Sequence, residues 1–505
     1  MLKPNENIEE ITPYKIDEYR NQWRLKLDAN ENIYGCSPNI ISAIKNIDAQ
    51  DISLYPCYGK LINKLSEKYE IKNKNILLSN GCDEALNIVV NSYLNKNEEI
   101  LSLTPSFSMP NLYAKATGAK IKQIDYQEKF IFNINTIKEN ITNDTKIIYL
   151  ASPNNPTGEA IKPIEIGLLL EEFKEKLFII DCTYINYSYN FVLEDYINLI
   201  KKYDNVAIMK SFSKDFAIAG LRFGITFANE NIINNLYKIA SPYNVNMIAA
   251  NCAMVALNDE KYFEKIKELN NTTKEFLYEN LKELGFNPYP SEANFILCDF
   301  GEYCDFYYEK LKKNGVITRN YSKNSPIANC LRITIPTIGG AKYILELLKR
   351  KNVLIFNLDN INEDTKLKET LDELSLNYDY TLYTTKTKKE IEEFLKKLNI
   401  ENYFYYKITS EDFPENLQKP NSTALKKIMN SCPNISIKYI ANDVDDIIAA
   451  NAINLNLIGY IETTSINNDL LNNFKHLGVK YILNNVNDLN NLLIEMEKDN
   501  EKNIY

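Results

Sequence analysis

Residues 211–224 read Ser-Phe-Ser-Lys-Asp-Phe-Ala-Ile-Ala-Gly-Leu-Arg-Phe-Gly. An apolar run, Val-Ala-Ile-Met-Lys-Ser (206–211), leads into the stretch, and another, Phe-Gly-Ile-Thr-Phe-Ala (223–228), leads out of it. Two hydroxyls, an amine and a guanidinium therefore follow the end of an expected strand. Outward from it the same rhythm holds: short apolar runs at 76–80, 147–152 and 177–181 alternate with longer amphipathic stretches. In 83–94, for example, Leu86, Val89, Val90, Tyr93 and Leu94 follow helical spacing. Strands alternating with helices at this spacing predict an α/β fold around a mainly parallel sheet. The pattern restarts near Arg350, where an expected helix at 341–350 runs into a new apolar strand at 353–359. A domain boundary is expected there.

Composition narrows the function. The 505 residues correspond to about three domains at roughly 150 residues each. Lys and Arg total 58 against 67 Asp and Glu, a net charge of −9, with no basic tail of the kind a nucleic-acid reader carries. The first 15 residues are polar and no run of 18 apolar residues occurs, so neither a signal peptide nor a membrane span is expected. Nine scattered cysteines without a Cys-x-x-Cys pair read as reduced thiols in a cytoplasm. The single histidine, His476, leaves the Ser-His-Asp and Cys-His hydrolases without a base near any of the motifs below.

Five local sequences fall at the carboxyl ends of expected strands, where open α/β sheets bind ligands. Gly81-Cys82-Asp83-Glu84 opens a helix, whose free N–H groups suit a phosphate; alone it is also a plain helix start. Phe107, just past Thr104-Pro105, is placed to stack on a flat ring or to fill a core. Ser152-Pro-Asn-Asn155-Pro-Thr-Gly158 is richer in Asn than a turn requires. Asp181 ends a buried strand, with Tyr184 three residues on, and a carboxylate there wants a charged partner. Ser211, Ser213, Lys214 and Arg222 complete the set. A lysine for a Schiff base, a carboxylate facing a ring nitrogen and an anion site are what pyridoxal phosphate needs.

With these motifs, together with Leu27-Asp-Ala-Asn-Glu-Asn32-Ile-Tyr-Gly35, Tyr55-Pro56, Pro242-Tyr-Asn-Val-Asn246, Ala293-Asn-Phe295 and Leu331-Arg-Ile-Thr334, residues 10–350 resemble the fold-type I aminotransferases, and within them the histidinol-phosphate aminotransferase family. The resemblance implies a large cofactor domain over about 41–249 and a small α/β domain from about 1–40 and 250–350. It implies a pyridoxal 5′-phosphate enzyme that transaminates a small, phosphorylated amine or amino acid against 2-oxoglutarate or glutamate. Lys214 would carry the Schiff base and the proton; Asp181 would face the ring nitrogen; Asn155 and Tyr184 would bond the ring oxygen; Phe107 would stack on the ring. Gly81, Cys82, Asp83, Ser211, Ser213 and Arg222 would hold the cofactor phosphate, joined by Tyr55 from the second subunit of a homodimer. Asn32, Gly35, Arg319 and Arg332 would meet the substrate, Arg for its planar fork. Ile33 replaces the usual Pro, and Cys182 and Thr183 the usual Glu-Ala, which bears on substrate choice. A phospho-amino-acid decarboxylase of the threonine-phosphate or serine-phosphate type is the alternative.

Residues 351–505 resemble the haloacid dehalogenase (HAD) superfamily, a Rossmann-like phosphatase fold, through 353–360, Leu382-Tyr-Thr384-Thr-Lys386, Lys419-Pro-Asn421 and Tyr439-Ile-Ala-Asn442-Asp-Val-Asp-Asp446. The nucleophile and one metal-binding position of that superfamily are Asp; here they are Asn357 and Asn442, while Asp359, Thr384, Lys419 and Asp446 remain and Asp443 and Asp445 lie nearby. An amide cannot serve as the carboxylate nucleophile, and two neutral amides weaken the attraction for a hard dication. A catalytically inactive module without a metal is expected.

Overall fold

The computed structural model describes residues 5–9, 11–12, 22–321, 325–359, 361, 366–431, 436–462 and 468–502. The chain divides into two compact units, Met1–Asp299 with Ile317–Leu345, and Phe300–Val316 with Glu346–Tyr505. In chain order the strands of the first part are β1 (Leu25–Leu27), β2 (Ile76–Ser79), β3 (Glu99–Thr104), β4 (Lys120–Asp125), β5 (Thr145–Ala151), β6 (Leu177–Asp181), β7 (Val206–Ser211), β8 (Gly224–Ala228), β9 (Asn287–Pro288), β10 (Phe295–Asp299), β11 (Val316–Asn320) and β12 (Cys330–Thr334).

Seven of these form one sheet in the order β2-β8-β7-β6-β5-β3-β4, parallel except for β8, which runs against both its neighbours. This is the mixed, mainly parallel sheet the alternation predicts. Every residue of β6 and β7 is buried, because helices cover both faces; the strands therefore read as continuous apolar runs rather than as alternation. Edge strand β4 instead exposes Lys120, and Lys122 is only partly covered, charges that discourage pairing with another chain. One face packs Ile148, Leu150, Phe178, Ile180 and Ile208 into a single apolar cluster, the other Ile147, Tyr149, Ile179, Ala207 and Met209. The second sheet, β1-β11-β12-β10-β9, pairs β10 antiparallel with β12 and β9, and β11 antiparallel with β12.

The C-terminal part carries β13 (Asn352–Phe356), β14 (Tyr378–Tyr383), β15 (Phe404–Ile408), β16 (Ile437–Ala441), β17 (Asn456–Tyr460) and β18 (Tyr481–Leu483). They form one parallel sheet in the order β15-β14-β13-β16-β17-β18. The helix Cys304–Lys313 groups with this sheet, although its sequence lies upstream of β11 and β12.

Candidate active site

The carboxyl ends of β2, β5, β6 and β7 carry the motif residues. Helix Gly81–Tyr93 starts directly after β2, and its N-cap residue, Asn80, gives no side-chain cap. The first N–H groups of the helix therefore remain available to an anion, reinforced by the helix dipole. Gly81 has φ of +79°, a left-handed conformation natural to glycine. Arg222, also at positive φ, 59°, places Nη2 3.0 Å from Asp83 Oδ2 and Nη1 3.4 Å from Ser213 Oγ. Ser213 N in turn donates to Ser211 Oγ at 3.2 Å. Gly81, Cys82, Asp83, Ser211, Ser213 and Arg222 thus meet in one cradle, fit for a phosphate.

The cradle depends on close backbone packing from β8. A Cβ on Gly224 would stand 2.7 Å from the Gly81 carbonyl carbon and 2.8 Å from Cys82 N, where backbone has to yield. Gly224→Ala is expected to destabilise the chain by about 1–3 kcal/mol, as overpacking does, and to weaken the cradle's hold on phosphate. Thermal denaturation and equilibrium dialysis with inorganic phosphate measure the two effects.

Lys214 follows β7, half-buried, with Nζ donating to Ala29 O at 2.7 Å. Burial, then the nearby Arg332 guanidinium, push its pKa down to about 8. Asp181 ends β6 at 7% exposure and accepts from Tyr149 Oη at 2.9 Å and from Thr183 N and Oγ1 at 3.0 and 2.6 Å. Burial raises its pKa and these donors oppose the rise. Such a carboxylate is ready for a positively charged partner. Tyr184 is buried, its ring edge-on to Phe295 at 5.2 Å, and its hydroxyl accepts from Asn30 Nδ2 at 3.0 Å. Its pKa is pushed up to about 12 by burial, against the pull of Arg332. The phenol stays protonated at neutral pH.

Arg332 in β12 and Arg319 in β11 face one another in antiparallel register, so their side chains leave the same face of the second sheet. Arg332 donates to Asn155 Oδ1 at 2.5 Å and to Asp28 O, while its Nε, buried, has no partner. Two guanidiniums side by side favour an anion between them. Phe107 is partly buried against the cluster that holds Tyr149 and Ala151. Tyr55 stands 79% exposed with its ring stacked on Tyr243 at 4.5 Å. Gly35 is exposed at φ of +78°. Asn32 spends its amide on Tyr187 Oη and Asp215 O, both at 3.2 Å, and so ties the segment after β1 to the Lys214 loop.

Several contributors escape a reading of the motifs. Tyr149 is hidden inside the apolar run of β5. Asn30, at φ of 54°, donates to Thr334 Oγ1 and Tyr184 Oη across 304 and 154 residues of chain. Tyr187 Oη donates to Lys214 O at 3.1 Å. Lys210, fully buried in β7, pairs with Asp215 at 2.8 Å and donates to Thr183 O. The signal for this last pair is a lysine inside an otherwise apolar strand.

In the second unit the phosphatase-like motifs also converge. Lys419 Nζ lies 2.8, 3.3 and 3.4 Å from carboxylate oxygens of Asp446, Asp443 and Asp359. Asn357 Nδ2 donates to Asp446 Oδ2 at 2.6 Å, and Asn442 Nδ2 to Asn357 O at 3.1 Å. Thr384 Oγ1 donates to Asp359. Among the described residues no group of three or more His, Cys, Asp or Glu side chains is placed to hold a metal ion, and no helix is long and apolar enough to cross a membrane.

Residues 24–350 match the family described as aminotransferase class I and II, and residues 308–460 the one described as haloacid dehalogenase-like hydrolase. Histidinol-phosphate aminotransferase 1 of Carboxydothermus hydrogenoformans is 33% identical over 356 residues, 69% of this chain and 99% of its own length. The solved histidinol-phosphate aminotransferase of Sinorhizobium meliloti, in complex with pyridoxal-5′-phosphate, superposes with a TM-score of 0.63 at 18% identity, covering 69% of this chain and 98% of that one. L-threonine-O-3-phosphate decarboxylase of Porphyromonas gingivalis superposes at 0.56 with 21% identity, covering 64% and 98%. At these identities the two structures speak for the fold alone.

Proposed function

Because the chain belongs to the class I and II aminotransferases, with histidinol-phosphate aminotransferases among its relatives, we propose that it is a pyridoxal-phosphate-dependent transaminase whose amino donor is a small phosphorylated amine or amino acid. The nitrogen is passed on to 2-oxoglutarate. The observation that carries the reading is the setting of Lys214: an amine held largely out of water, its Nζ on Ala29 O, in the field of both Arg332 and the Arg222 of the phosphate cradle. One arginine serves the cofactor's phosphate, the other the substrate's anion, and the amine belongs to the chemistry between them.

When bound, the cofactor supplies an aldehyde that condenses with amines and a ring that withdraws electrons from the carbon beside the nitrogen. The protein does the rest. The helix start at Gly81–Asp83, Ser211, Ser213 and Arg222 would hold the phosphate. Asp181, steadied by Tyr149 and Thr183, would keep a proton on the ring nitrogen. Asn155 and Tyr184 would donate to the ring hydroxyl oxygen. Lys214 in its neutral form would accept the proton from the substrate carbon. Arg332 and Arg319 fix the substrate's anionic end, which orients the bond to be broken. Tyr55, exposed in the single chain, reaches the cradle of a second subunit; light scattering at twice the chain mass checks the homodimer this requires.

An absorption titration of the purified, cofactor-loaded protein tests the reading with histidinol phosphate, phosphoserine, phosphothreonine, phenylalanine and glutamate. Conversion of the cofactor to its amine form by a phosphorylated donor is expected. Release of CO₂ with the cofactor left as the aldehyde would instead make the enzyme a phospho-amino-acid decarboxylase. No conversion by any phosphorylated amine, with turnover of phenylalanine, would overturn the donor class.

A further inference from the structure

Strand β7 carries one charged residue, Lys210, whose side chain is 1% exposed. Taking an ammonium out of water is costly, and pairing it seldom returns more than that cost. Stability alone therefore does not account for a lysine in an apolar strand. Its Nζ lies 2.8 Å from Asp215 Oδ2 and donates to Thr183 O at 3.2 Å. Those two contacts fall on the two segments that carry the chemistry. Asp215 is the chain neighbour of Lys214. Thr183 gives Asp181 Oδ1 two donors, N at 3.0 Å and Oγ1 at 2.6 Å. With Tyr149 Oη on Oδ2 at 2.9 Å, three of the roughly four acceptor positions of that carboxylate are taken, and the open one lies on Oδ2.

Asp215 gathers further bonds. Its Oδ2 also accepts from Asn186 Nδ2, while Oδ1 is buried without a partner among the described residues. The carboxylate therefore depends on Lys210 and Asn186. The backbone beside it is held as well: Tyr187 Oη donates to Lys214 O at 3.1 Å, and Asn32 Nδ2 to Asp215 O at 3.2 Å. Among these bonds the Lys210–Asp215 pair alone joins two opposite charges, and bonds between ionised groups are the stronger kind. It spans from the Lys214 segment, through Thr183, to the donors of Asp181.

We propose that Lys210 and Asp215 are a positioning pair, which keeps the Lys214 amine and the Asp181 carboxylate at the separation a pyridoxal ring requires. The inference rests on the pyridoxal-phosphate reading above. The ring is rigid and carries its aldehyde opposite its nitrogen, so it cannot absorb an error in that separation. Neither member of the pair touches reacting atoms in this role. Asp215 acts through the backbone it shares with Lys214, and Lys210 through the Thr183 carbonyl.

The test compares two ligands of the full chain freed of cofactor. Pyridoxal 5′-phosphate engages the phosphate cradle, Asp181 and Lys214. 4′-Deoxypyridoxine 5′-phosphate has a methyl group in place of the aldehyde, so it engages the cradle and Asp181 but cannot condense with the amine. The ratio of their dissociation constants reports how well the amine meets the aldehyde carbon of a seated ring, and losses common to both ligands cancel. The parent should bind the pyridoxal form far more tightly. Lys210→Met with Asp215→Leu removes the pair without changing net charge or leaving a buried charge alone. Its thermal midpoint should stay close to the parent's, while the ratio falls by about 10–100-fold, the scale of an ångström of misplacement. Lys210→Met by itself leaves Asp215 unpaired and should lower the midpoint too. A double variant with the parent's ratio would overturn the positioning role, whatever its midpoint. Should that protein not fold, Lys210→Met with Asp215→Asn, which keeps an acceptor for Asn186, decides by the same ratio: a fall supports the pair's role and the parent's value overturns it. A parent that binds neither ligand, or both alike, would overturn the pyridoxal-phosphate reading and this inference with it.

Discussion

Lys214→Ala is expected to reduce transamination by at least about 10²–10⁴-fold, the share that proton transfer alone contributes, while leaving the fold and the phosphate cradle in place. Reduction with borohydride and peptide mapping should find cofactor attached at residue 214 in the natural chain and nowhere in the variant. The expectation rests on where the amine sits. Its Nζ donates to Ala29 O, which fixes its direction, and burial with Arg332 nearby brings its pKa from 10.5 down to about 8. At pH 7.5 about a quarter of such an amine is neutral, against about a thousandth of a free lysine. One pH effect follows, on the stability of the cofactor-free protein, in which the amine is free: the unfolded lysine holds its proton up to about pH 10.5 and the folded one releases it near 8, so folding is favoured progressively as pH rises through that window. Lys214→Ala should flatten that slope. A variant that kept both turnover and slope would remove Lys214 from the chemistry.

The parts that could be read from sequence share a physical cause. Strands buried on both faces of a parallel sheet must be continuously apolar, so the runs at 76–80, 147–152, 177–181 and 206–211 announce themselves, and the candidate site residues lie at their carboxyl ends. Lys214, Asp181 and Arg222 are each reached this way. What stays hidden is carried by contacts across long stretches of chain. Nothing local in Asn30 tells that it will bond Thr334 and Tyr184. Nothing local in Asn32 tells that its amide will tie two loops together. Tyr149 reads as one more apolar residue of β5 until its hydroxyl is found on Asp181. In the C-terminal part the loss of two Asp is visible in the sequence, but the contacts of Lys419 with Asp359, Asp443 and Asp446 and of Asn357 with Asp446 are not, because separate segments have to meet to make them. The helix Cys304–Lys313 belongs to the same class: its amphipathic pattern says that one face is covered and not by which sheet.

That helix sets the second large effect, the expected response to Asp379→Ala. Lys310 on the helix and Asp379 on β14 form an ion pair at 2.7 Å with 2% and 3% of their side chains exposed. Burial pushes Lys310 down and Asp379 up, each toward its neutral form, while the pairing opposes both shifts. The pair thus adds little by its presence and costs much when halved, since truncation of one partner leaves a buried charge uncompensated, by about 3–5 kcal/mol. Lys310→Met with Asp379→Leu removes both charges at once and should come within about 1 kcal/mol of the parent, or exceed it, because no charge is then left buried. Urea unfolding of the full chain separates the outcomes, the single variant shifting to a markedly lower midpoint and the double variant returning. A chain stopped after Arg350, where the sequence pattern restarts, makes the same defect by another route: it retains Lys310 and Lys313 but discards Asp379 and the Phe404 and Glu401 carbonyls to which Lys313 donates. It should be less stable than the whole chain, and Lys310→Met should recover part of the loss. Equal midpoints for Asp379→Ala and the parent would show instead that the Lys310 amine is neutral in the folded unit and that the helix is held by its apolar face, Phe306, Tyr307 and Leu311, without the pair.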